Sequence, residues 1–269
     1  MEAELFKPLN LCFWVLKVCG MWQDGKQTWK YFFLGYLFRF LVIELFLIGQ
    51  VLYMADEKIF SELIKTLSFF VLYFTMWTKS VNFLARIQKI LKSVENLKEL
   101  LDFSRRDPPR TRDNIRKRTQ LIFNLFRIFL CIVVIATFRN LMMAIITRKM
   151  PINVWYPFST ENFDIGFWIG SLYMVAVIYI GSSISVTFEV FPVIFISFAI
   201  GLVEELADRL SGVEDNDELI KCIKIHLKIK EFIKEVQDSF ELVLLIQGFT
   251  SSTSICLCVF SLSIVSRSS

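Results

Sequence analysis

One histidine, His226, stands in 269 residues, and that scarcity excludes much enzyme chemistry at the outset. Histidine is the commonest general base and the commonest metal ligand. A single one, with no second His or Cys at ligand spacing, makes no zinc site. The chain also lacks a P-loop, a GxSxG elbow and an HExxH helix, so neither a cofactor nor a catalytic centre is expected. Glycine is scarce at 10, and no internal repeat or glycine-broken helix pair marks a transporter. The six cysteines are Cys12, Cys19, Cys131, Cys222, Cys256 and Cys258, and none lies in a segment expected outside the cell. They offer no external disulfide framework, and the Cys256/Cys258 pair, on an apolar helix, reads as small buried thiols. No Asn-x-Ser/Thr acceptor occurs. A cleavable signal is missing too: "LCFWVLKVCGMW" is short, is interrupted by Lys17 and is followed by no small-residue cleavage site. It is expected to form a short helix in the inner interface, with Trp14 and Trp22 at headgroup depth.

What the chain has in abundance is apolar side chain. The apolar fraction is 55 %, above the usual range of soluble domains, and 28 residues are Phe. Several stretches of about 18 or more residues carry almost no charge, the pattern of membrane-spanning helices. The expected fold class is all-α: a polytopic membrane helical bundle of about five transmembrane helices, read as one domain over 1–269. The spans fall at about 31–54, 63–84, 121–147, 165–190 and 242–265, and the cytosolic links at 1–30, 86–120 and 204–240.

Each span carries features that constrain it. In the first, Arg39 can snorkel to headgroups and Glu44 lies about a turn deeper. The two are five residues apart and are not expected to share a helix face. The second has a charge-free centre, "TLSFFVLYFTMWT", flanked by Lys65 and Lys79. The third carries Arg127 near its start and Arg139 in its outer half, where a water-filled cavity or a protein partner is expected. The apolar run from Ile165 to Val203 would be roughly 58 Å as helix, far beyond a ~30 Å hydrocarbon core. One long helix that leaves the membrane fits better than two crossings, with Glu189 and Pro192 marking its exit and a kink.

That helix needs a partner in water. "CIKIHLKIKEFIKEVQDSF" supplies one, because Leu219, Ile223, His226, Ile229, Ile233, Val236 and Phe240 recur at three- and four-residue steps. Spans four and five are thus expected to extend into a cytosolic helical bundle, with His226 packed in its core. The hydroxyls of "TSSTS" in span five can bond neighbouring helices.

Lys and Arg set the orientation. The segment before span one has 4, the link after span two 11 and the link after span four 6, while the two alternate links hold 1 and 2. This bias puts the N-terminus in the cytosol. The basic link "SRRDPPRTRDNIRKR", broken by Pro108 and Pro109, is then a topology-setting loop rather than a nucleic-acid site. "RKMPINVWYPFSTENFD" reads as a structured interfacial loop, with its Trp155 and Tyr156 suited to headgroup depth.

Two stretches carry a family resemblance. "PINVWYPFSTENFDIGFWIGSLY" resembles the second outer loop and fourth-span start of insect odorant receptors, and "CIKIHLKIKEFIKEVQDSFELVLLIQGFTSSTSICLCVFSLS" resembles their cytosolic stem and fifth span. The resemblance implies a heteromeric, ligand-gated cation channel of inverted topology, in which an odorant-binding subunit assembles with a co-receptor subunit. It implies seven spans where this sequence reaches five, so the chain is expected to lack the pore-lining last spans. A small, apolar volatile ligand is expected within the outer halves of the spans. Chosen by depth and chemistry, the candidate walls are Phe70, Tyr73, Phe74 and Trp77, then Phe138, Met142 and Ile145, then Tyr173 and Val177. The gustatory receptor relatives share the architecture. A non-receptor transporter or scaffold is the other alternative, and a membrane enzyme would need a catalytic cluster the chain does not show.

Overall fold

A computed structural model of the chain describes residues 5–22, 29–103, 109–160, 164–213 and 215–268. They form six helices. Helix α1 is Lys7–Val18. Helix α2 is Trp29–Asp56, with a π turn at Phe40–Glu44. Helices α3 (Phe60–Phe103), α4 (Pro109–Thr147), α5 (Ile165–Leu210) and α6 (Asn216–Ser268) follow. Four of these, α2, α4, α5 and α6, contain stretches long and apolar enough to cross a membrane. The second expected span is helical as well, within α3, but its apolar run is diluted by Thr66, Ser68, Thr75 and Thr78 and is closed by Lys79. Helix α5 runs on through Pro192 as a single 46-residue element. Pro109 is the first described residue of α4, a helix-opening position where its missing N–H wastes no hydrogen bond; Pro108 lies outside the described residues.

The chain divides into two compact units. The first comprises Met1–Trp14, Asn82–Ile128 and Thr187–Val243. Its core is a phenylalanine cluster: Phe83, Phe188, Phe191, Phe195, Phe232 and Phe240 are all buried, with ring centroids between 5.3 and 6.2 Å apart. Aromatic pairs in this range stack offset or edge-on and add to the burial energy. From α1, Phe6 stacks on Phe198 and Phe13 packs on Phe191. Polar braces surround the core. Glu235 accepts from Asn96 at 2.6 Å and pairs with Lys92 at 2.7 Å, while Arg118 pairs with Glu204 at 2.6 Å.

Here the stem differs from its sequence pattern. Residues Cys222, Ile229, Phe232, Val236 and Phe240 form the buried face of α6, whereas Leu219, Ile223 and Ile233 are exposed. His226 is exposed too, not packed in the core. Ile229, Val236 and Phe240 of the expected stripe are buried, and Phe232, outside it, joins them: its ring meets Phe195 beside that of Phe240, and seating it draws the buried face toward Cys222 and Phe232.

The second unit comprises Val15–Val81, Phe129–Val186 and Leu244–Ser269. Its helices α3 and α6 are joined by a buried hydroxyl pair, Thr75 and Thr250 at 2.8 Å, and by Lys79, which donates to Gln247. Helix α4 is sparsely covered. Phe129, Ile132, Ile135, Phe138 and Ile146 are all exposed, as suits a lipid-facing surface. Arg139 shares that surface and pairs with no described residue. Cys256 and Cys258 are exposed rather than buried, because they lie on the outward side of α6. Trp22, expected at headgroup depth, is instead 4 % exposed, while Trp14 is exposed. Tyr31 donates to the carbonyls of Lys17 and Trp22, folding this segment onto α2.

Candidate ligand site

The second unit holds two cavities that matter. The smaller, about 160 Å³, lies between α3 and α5 and is lined by Leu72, Tyr73, Met76, Gly181, Ser182 and Ser185, with Val186 at its edge. Tyr73 organises it. Its ring packs tilted on Phe46 at 4.5 Å, and its hydroxyl donates to the Val177 carbonyl at 3.2 Å. The ring is received by Gly181, where an added Cβ would stand 2.8 Å from Tyr73 Cε1. Only glycine leaves room for this crossing of ring over helix.

The larger cavity, about 280 Å³, lies between α2, the loop 148–160 and α5. The loop is pinned on two sides. Trp155 N–H donates to the Gly49 carbonyl at 3.1 Å, and Asn153 donates to Glu62 at 2.8 Å. A Cβ on Gly49 would meet Val154 Cγ1 at 2.6 Å, so the loop lands where the helix has no side chain. Across the cavity, Tyr173 donates to the Leu41 carbonyl at 3.0 Å. Burial pushes the Tyr156 hydroxyl above its ordinary value, with the nearby Tyr173 adding to the effect.

The π turn beside these walls overturns one expectation. Leu45 N–H bonds the Phe40 carbonyl, five residues back. This wider ring brings residues five apart onto one side, and Arg39 Nε lies 3.3 Å from Glu44 Oε1. The pair expected not to meet is therefore an ion pair, mostly shielded from solvent. Trp77 Nε1 also donates to Glu44, at 3.3 Å, and the Arg39 guanidinium sits 5.3 Å from the Tyr36 ring centroid.

The nine candidate residues separate into groups. Tyr73 and Val177 are brought together by their hydrogen bond, and Tyr73 lines the α3–α5 cavity. Tyr173 lines the larger cavity. Phe70, Phe74 and Trp77 form a continuous stack on α3, with centroids 5.8 and 5.7 Å apart, and line neither cavity. Phe138, Met142 and Ile145 on α4 line neither, and the first two are exposed. Sequence reading missed Met76, Gly181 and the Ser182/Ser185 pair. A signal was present: "YIGSSIS" is a run of small residues inside the charge-free stretch 165–188, where a neighbouring ring can approach closely.

With the geometry in place, comparison decides the family. The pattern described as 7tm Odorant receptor matches residues 59–269. The chain belongs to the insect odorant receptor family. The receptor is similar in fold to the insect olfactory receptor OR5 from Machilis hrabei, with a TM-score of 0.67 and 14 % identity over 94 % of this chain and 70 % of that one. The same receptor in complex with eugenol is similar to the same extent, at TM-score 0.67 and 15 % identity, over 94 % of this chain and 70 % of that one. No curated protein matches. Odorant receptors of this family are ligand-gated cation channels and not enzymes, and the chain is a multi-pass membrane protein.

Proposed function

We propose that this chain is the odorant-binding part of a receptor subunit, holding a small apolar volatile ligand in the α3–α5 cavity and biasing a cation channel formed with a co-receptor subunit. The observation that carries the ligand assignment is the Tyr73–Gly181 crossing. It makes a ready-formed apolar recess with a few polar atoms at its edge, the build of a small-molecule site. The related OR5 structure with eugenol supports a small aromatic as the ligand class. A ligand that fits the recess better in one arrangement of α3 and α5 shifts the gating equilibrium toward it.

In this reading the N-terminus is cytosolic, as the Lys and Arg distribution supports, and the membrane crossings lie near 31–54, 63–84, 121–147, 165–190 and 242–265. The remaining candidates then have distinct roles. Phe70, Phe74 and Trp77 form a stacked wall of α3, Tyr173 braces α5 against α2, and Phe138, Met142 and Ile145 meet lipid or a neighbouring helix.

The test is odour-evoked current in cells expressing the chain with a co-receptor subunit, alongside Leu72→Trp, which fills the recess from its exposed edge. Current that is evoked by small aromatics and lost in the variant supports the reading. Silence across a broad odour panel, with surface delivery confirmed, refutes it. An epitope placed before Met1 and stained only after permeabilisation is the expected orientation result.

A further inference from the structure

The larger cavity shares no lining residue with the α3–α5 recess. We infer that it is a second, independent small-molecule site, which takes an uncharged aromatic or terpenoid compound of one or two rings.

Size is the first argument. An apolar cavity of about 150 Å³ stays dry and binds a benzene ring. At about 280 Å³ this one, a cleft left open at the exposed side chains of Ile48, Leu52, Trp155 and Ile169 rather than a sealed void, has room for a second ring or a branched substituent. Wall chemistry is the second. Trp155, Tyr156, Phe158 and Tyr173 face Ile48 and Leu52 across it, and no charged residue lines it. Flat aromatic walls favour a ring over a flexible chain, because faces and edges of rings attract each other in offset and edge-on arrangements. The third argument is preorganisation. Two contacts fix the walls without using the cavity itself: the Trp155–Gly49 backbone bond and the Tyr173–Leu41 bond. A site already shaped loses little ordering entropy when it fills.

One polar feature narrows the class. The Tyr156 hydroxyl is buried and has no hydrogen-bond partner among the described residues, while the Tyr173 hydroxyl is already committed to Leu41. A ligand with one acceptor oxygen, such as an ether, ketone or ester, can satisfy Tyr156 after a small rotation of its ring. A charged ligand finds no counter-charge. Occupancy braces the loop against α2 beside the π turn, which makes the site one for a modulator acting alongside the odorant.

The experiment uses prodan, an uncharged two-ring naphthyl ketone whose emission shifts to the blue in apolar surroundings, with the full chain in phosphatidylcholine nanodiscs. Beyond the linear partition into lipid, one saturable probe per chain is expected. Ile169→Trp and Ile48→Trp, which fill the cavity from two different helices, each weaken that binding at least tenfold. Leu72→Trp, at the other recess, leaves it within twofold. Either cavity-filling variant suffices if the other fails to fold. No saturable component overturns the inference, as does one abolished by Leu72→Trp alone. A co-purified acyl chain that crosslinks to the loop and excludes the probe also overturns it, by making the cavity a lipid seat. Because the readout is binding in a purified chain, its outcome is separable from that of the odour-evoked current.

Discussion

The ion pair at the π turn invites a double-mutant cycle. Arg39 and Glu44 stand 3.3 Å apart, with side chains 13 % and 20 % exposed. At an effective dielectric of about 20, two unit charges at that distance attract by about 5 kcal/mol before desolvation is counted. Removing one member of a buried pair costs about 3–5 kcal/mol, because the survivor is left uncompensated. Two features reduce the figure here: both side chains keep some solvent contact, and Arg39 Nε and Glu44 Oε2 lack hydrogen-bond geometry. Arg39→Met alone, or Glu44→Leu alone, is therefore expected to cost about 2–3 kcal/mol. The double variant replaces both charges with apolar groups of similar bulk and is expected to recover most of that loss. The coupling energy should then be about 3–5 kcal/mol, at or above the top of the range measured for contacting residues. Unfolding in detergent, followed by tryptophan fluorescence, supplies the four stabilities. Glu44→Leu also strands Trp77 Nε1, so the cycle is repeated in a Trp77→Phe background, where the coupling should persist. Additive single effects, with coupling under about 0.5 kcal/mol, would show that the π turn does not bring the charges into energetic contact.

Other expectations follow from the same geometry. Gly181→Val should displace the Tyr73 ring and break its bond to Val177, a loss of about 1 kcal/mol for the hydrogen bond alone, with ligand-evoked current falling further than stability does. Phe232→Ala should destabilise the first unit by about 3–5 kcal/mol, read as raised proteolysis within 187–243. Thr250→Val should cost only about 0.6 kcal/mol, since interhelical hydrogen bonds in membrane bundles average that much, and a thermal shift assay in detergent checks it. The Glu57 carboxylate accepts from the Ile59 N–H at 2.7 Å and from the Tyr53 hydroxyl at 2.7 Å, which hold its pKa below the ordinary 4.5. Its contribution is present above that ordinary value and is lost as pH falls through the lowered one. Protection of the Ile59 amide from hydrogen exchange, taken relative to its intrinsic rate at each pH, should therefore fall below pH 4.5 in the parent and lose that dependence in Glu57→Gln.

Much of the helix layout was legible because hydropathy acts along the chain. A 46-residue apolar helix announces itself in residues 165–210 whatever packs against it, and Pro109 can open a helix because its fixed φ suits the first position and it has no N–H to leave unpaired. Facing is a tertiary property and was less legible. In the stem, Leu219, Ile223 and Ile233 have the spacing of a buried stripe, yet Phe232, outside that stripe, draws the buried face toward itself by its size and by the ring it meets on α5. The π turn was invisible for a similar reason. Helical-wheel reasoning assumes 3.6 residues per turn, so a local widening changes which side chains are neighbours without altering the apolar pattern.

The two cavities show the same division of labour. Large apolar side chains at membrane depth suggest a ligand pocket, and all nine candidates were chosen by depth and chemistry, but the walls form where small residues let the aromatics among them approach. Gly181 admits the Tyr73 ring, and Gly49 admits the loop that brings Trp155 and Tyr156 over α2. Aromatics without a facing glycine, such as Phe74 and Phe138, remain on the surface of their helices. Shape at each cavity is thus set by the glycine and chemistry by the ring opposite it. A substitution at either glycine should alter which molecules bind, while a similar substitution at Phe138 should alter only how the helix meets its surroundings. Paired dose–response curves for Gly49→Ala, Gly181→Ala and Phe138→Leu separate the cases: altered ligand rank order in the first two and preserved order in the third is the expected pattern, and a changed order in Phe138→Leu would place the ligand against α4 instead.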